Sequence, residues 1–377
     1  MLQPIGPVVV FGASNFPLAF SVAGGDTASA LATGNPVVVK AHPAHPGTSE
    51  LVADAVDRAV AACGLPAGTF SLLHGREPRT GLDLVRHPDT CAVGFTGSHT
   101  AGRALFDAAA ARPRPIPVFA EMSSLNPVFL LSSALAARGS TIAEGLKQSF
   151  TLGVGQFCTK PGVVIGVASP AWDAFAARLG ELARSVPAGT MLHAGIAGAF
   201  AESTADLRDV EWLSKGPAAA ARVSAARFLD DPTLHREIFG PFTLLVTVPD
   251  AAGLTSFARA LDGQLTATLH GDADDLSAPA TADLLRTLGQ RAGRIVLNGF
   301  PTGVEVAPAM QHGGPYPSTT DSRFTSVGTA ALARFVRPVC YQDFPDSLRP
   351  PALQDANPLG LMRLVNGAPT RATLGTA

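Results

Sequence analysis

Short apolar runs alternate with segments of helical period from the first residues of the chain to about residue 300. The runs are rich in Val and Phe and carry almost no charge, which is typical of strands buried on both faces of a sheet. In the first third of the chain this pattern predicts strands over residues 8–11, 37–40, 70–73, 91–95 and 118–121. The segments between them predict helices over residues 19–33, 49–63, 80–86 and 101–111, the second of them capped by Thr48 or Ser49. Such alternation predicts an open parallel sheet covered by helices on both faces.

A second α/β segment follows the first. Its apolar runs predict strands over residues 163–167, 242–248, 265–270 and 294–298, with helices over residues 140–150, 171–185, 252–261 and 280–292. Residues 202–229 are rich in alanine and predict no clear element. Residues 301–327 are rich in Gly, Pro, Ser and Thr and lack a regular period, so they predict a long ordered loop or lid. Residues 330–342 predict a helix end followed by an edge strand.

Composition narrows the class of protein without identifying it. The 377 residues are 46% hydrophobic and 15% charged with a net charge of −2, so a large packed interior forms easily. The sequence has no basic tract that would bind nucleic acid and no apolar run long enough to span a membrane. Its four cysteines lie far apart without a CxxC pair: Cys63, Cys91, Cys158 and Cys340. They predict free thiols in a cytoplasmic compartment and argue against a zinc site or a disulfide framework.

Candidate ligand-binding residues follow the carboxyl ends of the predicted strands. Asn15 follows the first strand, and Lys40 ends the second. Gly97 and Ser98 follow the fourth strand, and Glu121 ends the fifth. In an open parallel sheet, ligands bind outside the carboxyl ends of the strands. These residues are therefore candidates for a single ligand-binding edge.

Cys158 lies in a glycine-rich turn, residues 153–162, directly after a predicted helix. Glycines let backbone N–H groups approach a reacting atom closely, and a thiol held in such a turn can attack a carbonyl carbon. Cysteine is also a common small hydrophobic core residue. Taken alone, Cys158 does not decide between these two roles.

The other candidates also have purely structural interpretations. Asn15 suits a turn and Ser98 suits a helix N-cap. Lys40 and Glu121 suit solvated strand ends, and Glu237, which has charged neighbours, suits an ordinary charged loop.

Together, the order and spacing of these motifs resemble the NAD(P)-dependent aldehyde dehydrogenase superfamily from Pro4 to about Gln342. Residues 39–43 (VKAHP), 298–304 (NGFPTGV) and 312–315 (HGGP) are most similar to the 2,5-dioxovalerate (α-ketoglutarate semialdehyde) dehydrogenases of that superfamily. The resemblance implies an α/β fold with an open parallel, Rossmann-like cofactor sheet and a second α/β catalytic domain.

The resemblance also implies boundaries and partners. It implies a partial cofactor domain over residues 1–121, a catalytic domain over 122–328, an edge or oligomerisation strand over 329–345 and a C-terminal tail over 346–377. Family members carry a long region before the first strand, so we expect this chain to be an amino-terminally truncated form. The alternative to an active enzyme is therefore an impaired remnant or interaction fragment. A small aldehyde is the expected partner, with a homodimer or homotetramer in the full-length protein and neither nucleic acid nor membrane.

The resemblance implies that Cys158 attacks the aldehyde and forms first a thiohemiacetal and then a thioester. The side-chain amide of Asn15 and the backbone N–H of Cys158 would form the oxyanion hole. Glu121 would act as the general base that activates water for thioester hydrolysis. A CoA-acylating or esterolytic thiol enzyme is the alternative, and the presence of Glu121 favours water as the acceptor.

The resemblance also assigns the cofactor contacts. Lys40 would contact the adenosine ribose or its 2′-phosphate, and Ser98 with Gly97 would meet the pyrophosphate at a helix N-terminus. Glu237 would hold the nicotinamide ribose, with Phe239 beside the nicotinamide ring. The cofactor would be NADP or NAD.

Three further expectations concern the loops. Pro43 stands where many NAD-using relatives carry an acidic residue, so we expect NADP to serve at least as well as NAD. The loop histidines, His42, His45 and His312, have no metal-ligand partners nearby in the sequence, so no metal site is predicted. Arg323 is a candidate for contact with a substrate carboxylate.

Overall fold

The first of two main sheets is formed by the amino-terminal third of the chain. A computed structural model describes residues 1–375. After a short strand, β1 (Leu2–Pro4), five parallel strands pair in the order β4-β3-β2-β5-β6. These strands are β2 (Val8–Phe11), β3 (Val37–Lys40), β4 (Phe70–Leu73), β5 (Ala92–Thr96) and β6 (Val118–Glu121). The helices between them are α1 (Gly25–Ala32), α2 (Pro46–Ala62), α3 (Pro78–Arg86) and α4 (His99–Ala110).

Helices cover both faces of this sheet, as the uncharged strands predict. On one face, Val8 and Val37 pack with Ala30 of α1 and Ala53 of α2. On the other face, residues of β5 and β6 pack with α3 and α4. Burial of apolar surface on both faces stabilises the sheet and leaves its carboxyl edge as the place where polar side chains meet a ligand.

The second main sheet has seven strands in the order β13-β12-β7-β8-β11-β10-β9. The strands are β7 (Val128–Leu130), β8 (Val163–Val167), β9 (Glu211–Ser214), β10 (Ala219–Ser224), β11 (Phe242–Val248), β12 (Gln264–His270) and β13 (Ala292–Leu297). All neighbours pair in parallel except β9 with β10. The helices of this part are α5 (Ser132–Thr151), α6 (Pro170–Arg184), α7 (Ala194–Asp206), α8 (Ala225–Asp230), α9 (Ala251–Ala260), α10 (Ala273–Ser277) and α11 (Pro279–Arg291). Helices α5 and α6 cover one face of this sheet, and α8, α9 and α11 cover the other.

A long loop joins the two sheets. Residues 298–328 contain no helix or strand apart from a single bridge between Thr319 and Glu121. The loop is nevertheless held to both sheets, since the N–H of Met122 donates to the Ser318 carbonyl and the N–H of Gly263 donates to the Tyr316 carbonyl. The predicted ordered loop over residues 301–327 is therefore confirmed, and it lies across the junction of the sheets.

The chain beyond this loop contributes only short elements. A 3₁₀ turn (Thr329–Phe335) leads into β14 (Val336–Pro338), which pairs antiparallel with β1. A small hairpin follows, made of β15 (Arg363–Val365) and β16 (Ala368–Thr370). No helix within residues 1–375 combines the length and the hydrophobicity that a membrane crossing requires.

The predicted α/β fold is confirmed, and the errors lie in short or weakly patterned segments. Residues 19–24 form turns rather than the start of α1. Helix α2 begins at Pro46 with His45 as its N-cap, so neither Thr48 nor Ser49 caps it; proline is favoured in the first turn because its missing N–H has no intrahelical partner there. Strand β7 was not predicted, because three residues are too few for a recognisable period. The predicted domain boundaries stay predictions.

Residues 202–229 hold more structure than their sequence pattern indicated. They include the end of α7, both strands β9 and β10, and α8. Alanine and glycine dominate α7, so its two faces differ little in hydrophobicity and its helical period is hard to see.

Candidate active site

The predicted site residues gather around one cavity between the two sheets. Its volume is about 290 Å³, and seven of the eight predicted residues line it: Asn15, Gly97, Ser98, Glu121, Cys158, Glu237 and Phe239. Asn15, Gly97 with Ser98, and Glu121 lie at the carboxyl ends of β2, β5 and β6. Cys158 lies in the segment before β8, and Glu237 with Phe239 in the segment before β11. Lys40 is the eighth residue and ends β3, a strand further along the first sheet.

A tight turn after α5 positions Cys158. Gly153, Val154 and Gly155 all have positive φ angles, of 56°, 57° and 68°. Valine rarely adopts this conformation, so the turn holds local strain near the thiol. A Cβ atom on Gly155 would lie 2.2 Å from the carbonyl carbon of Gly240, so only glycine fits at this contact. The turn thus fixes Cys158 against the segment that carries Glu237 and Phe239.

Cys158 meets Glu121 and a third side chain, His312. The Cys158 Sγ atom lies 3.4 Å from His312 Nε2, and this nitrogen lies 3.1 Å from Glu121 Oε1. The hydroxyl of Ser326 donates to Glu121 Oε2 at 2.6 Å. The carboxylate is therefore held between two residues of the long loop and faces the thiol.

His312 corrects the expectation that the loop histidines have no ligand-type neighbours. It is 154 residues from Cys158 in sequence, and no local pattern records their contact. The available signal was its position before two glycines in a loop that the sequence predicts to be ordered, since loops held by a rigid scaffold often carry functional side chains.

Burial and charge set opposite ionisation states for Cys158 and Glu121. Burial, reinforced by the negative charge of Glu121, raises the pKa of the Cys158 thiol well above its usual range. Burial also disfavours the ionised form of Glu121, but His312 and the hydrogen bond from Ser326 outweigh it and lower the pKa of this carboxyl. At neutral pH, the free site therefore holds a protonated thiol beside an ionised carboxylate, which can accept the thiol proton.

Asn15 lies beside this group but its amide already has a partner. Asn15 Nδ2 donates to the backbone carbonyl of Gln156 at 2.9 Å, two residues before Cys158. The contact ties the end of β2 to the cysteine turn. It brings Asn15 to the reacting edge of the cavity, while its role in an oxyanion hole stays a prediction.

Ser98 lines the same cavity and is the N-cap of α4. Its hydroxyl accepts a hydrogen bond from the N–H of Ala101 at 3.3 Å, so the structural interpretation of Ser98 is confirmed. A Cβ atom on the preceding residue, Gly97, would lie 2.6 Å from the Phe95 ring. The turn from β5 into α4 is therefore close-packed, and the N-terminus of a 12-residue helix begins beside the cavity.

Glu237 is accompanied by Lys160, which the sequence analysis did not single out. Lys160 is 1% exposed, and its Nζ donates to the carbonyls of Ile238 and Phe242 at 2.9 and 3.0 Å. Burial lowers the pKa of Lys160 and raises that of Glu237, while their opposite charges favour the ionised pair. Glu237 Oε1 is buried without a hydrogen-bond partner in the described part of the chain.

The surroundings of Lys40 are basic. Partial burial lowers the pKa of Lys40. Burial, together with the neighbouring His45, Lys40 and His193, lowers the pKa of His42 to about 4. A bound anion would offset the mutual repulsion of these basic side chains.

Arg323 does not reach the cavity. Its Nη2 atom lies 2.5 Å from Asp321, and its side chain is 79% exposed. The candidate contact with a substrate carboxylate is therefore not supported, because this guanidinium is already paired and lies at the surface.

Comparisons with known proteins agree on one family. A family model described as "Aldehyde dehydrogenase family" matches residues 1–337. The chain is 54% identical over 375 residues to "Alpha-ketoglutaric semialdehyde dehydrogenase 2" of Azospirillum brasilense, a match that covers 96% of this chain and 71% of that protein. It is 48% identical to "Alpha-ketoglutaric semialdehyde dehydrogenase" of Acinetobacter baylyi, over 97% of this chain and 72% of that protein.

Solved structures share the fold at lower identity. A lactaldehyde dehydrogenase structure matches with a TM-score of 0.74 at 22% identity, covering 89% of this chain and 70% of that one. An NAD-dependent aldehyde dehydrogenase of Sinorhizobium meliloti matches with a TM-score of 0.72 at 20% identity, covering 91% and 69%. Proline utilization A of Bradyrhizobium japonicum matches with a TM-score of 0.74 at 22% identity, and this chain spans only 34% of its length.

Proposed function

The chain belongs to the aldehyde dehydrogenase family, an oxidoreductase family that uses NAD(P), and we propose that it oxidises α-ketoglutaric semialdehyde to the corresponding dicarboxylate. The substrate is inferred from the two relatives that match nearly the whole chain. The observation that carries the proposed chemistry is the position of the Cys158 thiol, which lies within 4.8 Å of the ionised Glu121 carboxylate. Both residues line a cavity large enough for the reacting groups.

In the first step, the Cys158 sulfur forms a bond to the aldehyde carbon while the thiol proton passes to Glu121. The electron pair of the C=O bond moves to oxygen, and the resulting oxyanion lies near the Asn15 amide and the Cys158 backbone N–H. Because a buried thiol resists ionisation, transfer of its proton to an adjacent carboxylate avoids a separate charged thiolate in the cavity.

The residues around the cavity suit the cofactor. Glu237 Oε1 is buried and unpartnered among residues 1–375, which fits a carboxylate that awaits the hydroxyls of a ribose. The N-terminus of α4 offers N–H groups to a pyrophosphate. When bound, NAD(P)⁺ supplies the acceptor for the hydride that leaves the thiohemiacetal carbon. Glu237, Ser98 and Gly97 would hold it, with Phe239 beside the nicotinamide.

In the last step, water attacks the thioester that remains on Cys158. Glu121, having released its first proton to solvent, accepts a proton from this water, and the C–S bond breaks as the thiol is restored. His312, together with the hydrogen bond from Ser326, keeps Glu121 ionised near neutral pH, as a general base requires. An ionised carboxylate beside the sulfur supports water, rather than a thiol cofactor, as the acceptor.

We further propose that NADP serves at least as well as NAD. Position 43 is a proline rather than a carboxylate, so a 2′-phosphate would meet the Lys40 ammonium without a like charge beside it. Burial lowers the pKa of His42 to about 4, so at neutral pH this imidazole adds no positive charge. Turnover with NADP that is negligible beside turnover with NAD would refute this preference.

Assembly and location are proposals of the same kind. In the described residues β13 pairs only with β12 and is therefore an edge strand, and its Ile295 and Leu297 side chains are 40% and 53% exposed. An exposed apolar edge strand favours pairing with another subunit, and we propose a homodimer or homotetramer.

The four cysteines are free, which suits the reducing environment of the cytoplasm.

The test is NAD(P)H formation by the full chain with α-ketoglutaric semialdehyde. We expect Cys158→Ala to reduce the rate to background and Cys63→Ala, at an exposed thiol outside the cavity, to leave it unchanged. Because Glu121 accepts a proton in both the first and the last step, Glu121→Gln should slow the first turnover as well as steady turnover. Full activity of Cys158→Ala would refute the mechanism, and oxidation of other aldehydes but not this one would refute the substrate.

A further inference from the structure

Three metal-ligand atoms converge at the reacting edge of the cavity. Glu121, Cys158 and His312 each direct one such atom into the same space, and these atoms all lie within 4.8 Å of one another. Glu121 is 4% exposed and His312 is 2% exposed, whereas Cys158 is partly exposed where it lines the cavity. It is the one such group of three among residues 1–375.

One of these atoms is incompletely satisfied for its burial. Glu121 Oε1 makes no well-aligned hydrogen bond within the described chain and is contacted by His312 Nε2 at 3.1 Å. A buried polar atom without a partner costs free energy, roughly 1–3 kcal/mol, and in a native protein it requires an explanation. A cation between the three side chains would give this oxygen a partner.

We propose that Cys158, Glu121 and His312 bind a soft divalent cation such as Zn²⁺, and that this binding reversibly blocks the catalytic thiol. Metal binding is inferred from the geometry alone. Inhibition by the metal rests on the proposed function, in which Cys158 is the nucleophile.

The spacing of the three atoms suits tetrahedral zinc. Zinc binds sulfur at about 2.3 Å, imidazole nitrogen at about 2.05 Å and carboxylate oxygen at about 2.0 Å. At a tetrahedral angle these bond lengths separate sulfur from nitrogen by about 3.6 Å, nitrogen from oxygen by about 3.3 Å and sulfur from oxygen by about 3.5 Å. The structure has 3.4 Å and 3.1 Å for the first two pairs, each within about 0.2 Å of the zinc spacing, and all three atoms lie within 4.8 Å of one another.

The chemistry of the ligands selects the kind of metal. A thiolate and an imidazole favour Zn²⁺ and similar ions, whereas Mg²⁺ and Ca²⁺ prefer oxygen ligands. Three protein ligands leave the fourth position open to the cavity, where a water would complete the shell. Such an open site exchanges its metal more readily than a closed structural one.

Charge balance explains how a thiolate can form in this site. A divalent cation neutralises both the carboxylate and the thiolate, so the thiol proton leaves to solvent as the metal enters. Binding therefore releases a proton, and its affinity falls as pH falls.

The direct test is a titration of the full, cofactor-free chain with Co²⁺, which stands in for Zn²⁺ and gives a thiolate-to-cobalt charge-transfer absorption. We expect one equivalent to bind with this signal and Zn²⁺, but not Mg²⁺, to displace it. Cys158→Ser should abolish the signal, while Cys63→Ser and Cys340→Ser, at exposed thiols, should retain it.

His312→Phe tests the contribution of the histidine ligand to metal binding. Loss of an outer-shell partner alone weakens metal binding by about 10–100-fold, so loss of this ligand should weaken Co²⁺ binding at least about 100-fold. If His312→Phe does not fold, as judged by its thermal transition, His312→Gln is used in its place. An affinity that is unchanged in the folded variant would overturn the proposal.

Inhibition is measured separately. Zn²⁺ should inhibit aldehyde oxidation in competition with the aldehyde, and a chelator should restore the activity. A chain that binds Co²⁺ through Cys158 but oxidises no aldehyde would refute the proposed function and retain the metal site. Zn²⁺ inhibition without the charge-transfer signal, or a signal that survives Cys158→Ser, would overturn the metal site itself.

Discussion

At the scale of single residues, burial determines which ionisable groups do chemistry here. Glu121 and Lys160 are both almost completely enclosed, and each is held by named partners rather than by solvent. A buried charge persists only when it is paired or hydrogen-bonded, so the partners of these two residues control their function.

Lys160 supports the segment that carries Glu237. Lys160→Met would leave the carbonyls of Ile238 and Phe242 without donors and Glu237 without a nearby cation. We expect the free energy of unfolding to fall by about 3 kcal/mol, typical of breaking a buried ionic contact, as measured by urea denaturation. The control is Lys215→Met, at an exposed lysine over the Trp212 ring, which should cost less than about 1 kcal/mol. Equal losses in both variants would contradict the role of Lys160.

Glu121 should control the reactivity of the Cys158 thiol. Because burial and the charge of Glu121 raise the pKa of the thiol, its alkylation should gain speed only at high pH, where the thiolate forms. Glu121→Gln removes the negative charge, so the midpoint of the alkylation profile should move to lower pH. The measurement is iodoacetamide labelling of the Cys158 peptide, followed by mass spectrometry. The exposed Glu202→Gln should leave the midpoint in place, and a midpoint that rises in Glu121→Gln would refute the electrostatic account.

At the scale of elements, the turn between α5 and Cys158 is the most constrained part of the site. Three consecutive residues adopt left-handed conformations, and the third one touches the backbone of Gly240. The element that delivers the nucleophile and the segment that carries Glu237 therefore move together.

Gly155→Ala should disturb both stability and reactivity. The new methyl group would meet Gly240 at 2.2 Å and would occupy a backbone conformation that alanine disfavours. We expect a loss of about 2 kcal/mol or more in the free energy of unfolding, with slower alkylation of Cys158. Gly289→Ala is the matched control, because this glycine lies in α11 with open space around it, and alanine there should stabilise the chain by about 0.5–1 kcal/mol. A neutral Gly155→Ala would show that the turn tolerates rearrangement.

At the scale of the whole molecule, the site forms where three distant parts of the chain meet. Glu121 ends a strand of the first sheet, Cys158 follows a helix of the second part, and His312 and Ser326 lie on the loop that crosses between the sheets. His312 and Ser326 of this loop therefore lower the pKa of Glu121, although they are distant from it in sequence.

Ser326→Ala tests this connection across 205 residues. Loss of the hydrogen bond to Oε2 should raise the pKa of Glu121, so the carboxylate would be lost at a higher pH as the solution is acidified. We expect the acidic limb of the hydrolysis rate to move to higher pH, measured by single-turnover and steady-state kinetics. Ser318→Ala, in the same loop but bonded to the Pro315 carbonyl, should leave that limb unchanged. An acidic limb that is unmoved in Ser326→Ala would contradict the role of the loop.

Most of the longer strands and most helices were predictable because their signals are local. The valine run of β2 and the alternation around β5 and β6 specify buried strands within a few residues, and the structure has them there. The residues at their carboxyl ends could be named as site candidates for the same reason, since parallel strands bring those ends to one edge. Segments with weak amphipathicity, such as α7, gave no comparable signal.

The sequence by itself determined the α/β class, most of the strands of the two sheets and the presence of a thiol and a carboxylate at predictable turns. Only the tertiary structure decided that His312 and Ser326 meet Glu121, and that Lys160 is enclosed beneath Glu237. Local periodicity follows from the geometry of a few consecutive residues. Contacts between residues far apart in sequence, such as Glu121 and Ser326 at a separation of 205 positions, depend on how whole sheets and loops pack, and the sequence pattern near each residue holds no record of that packing.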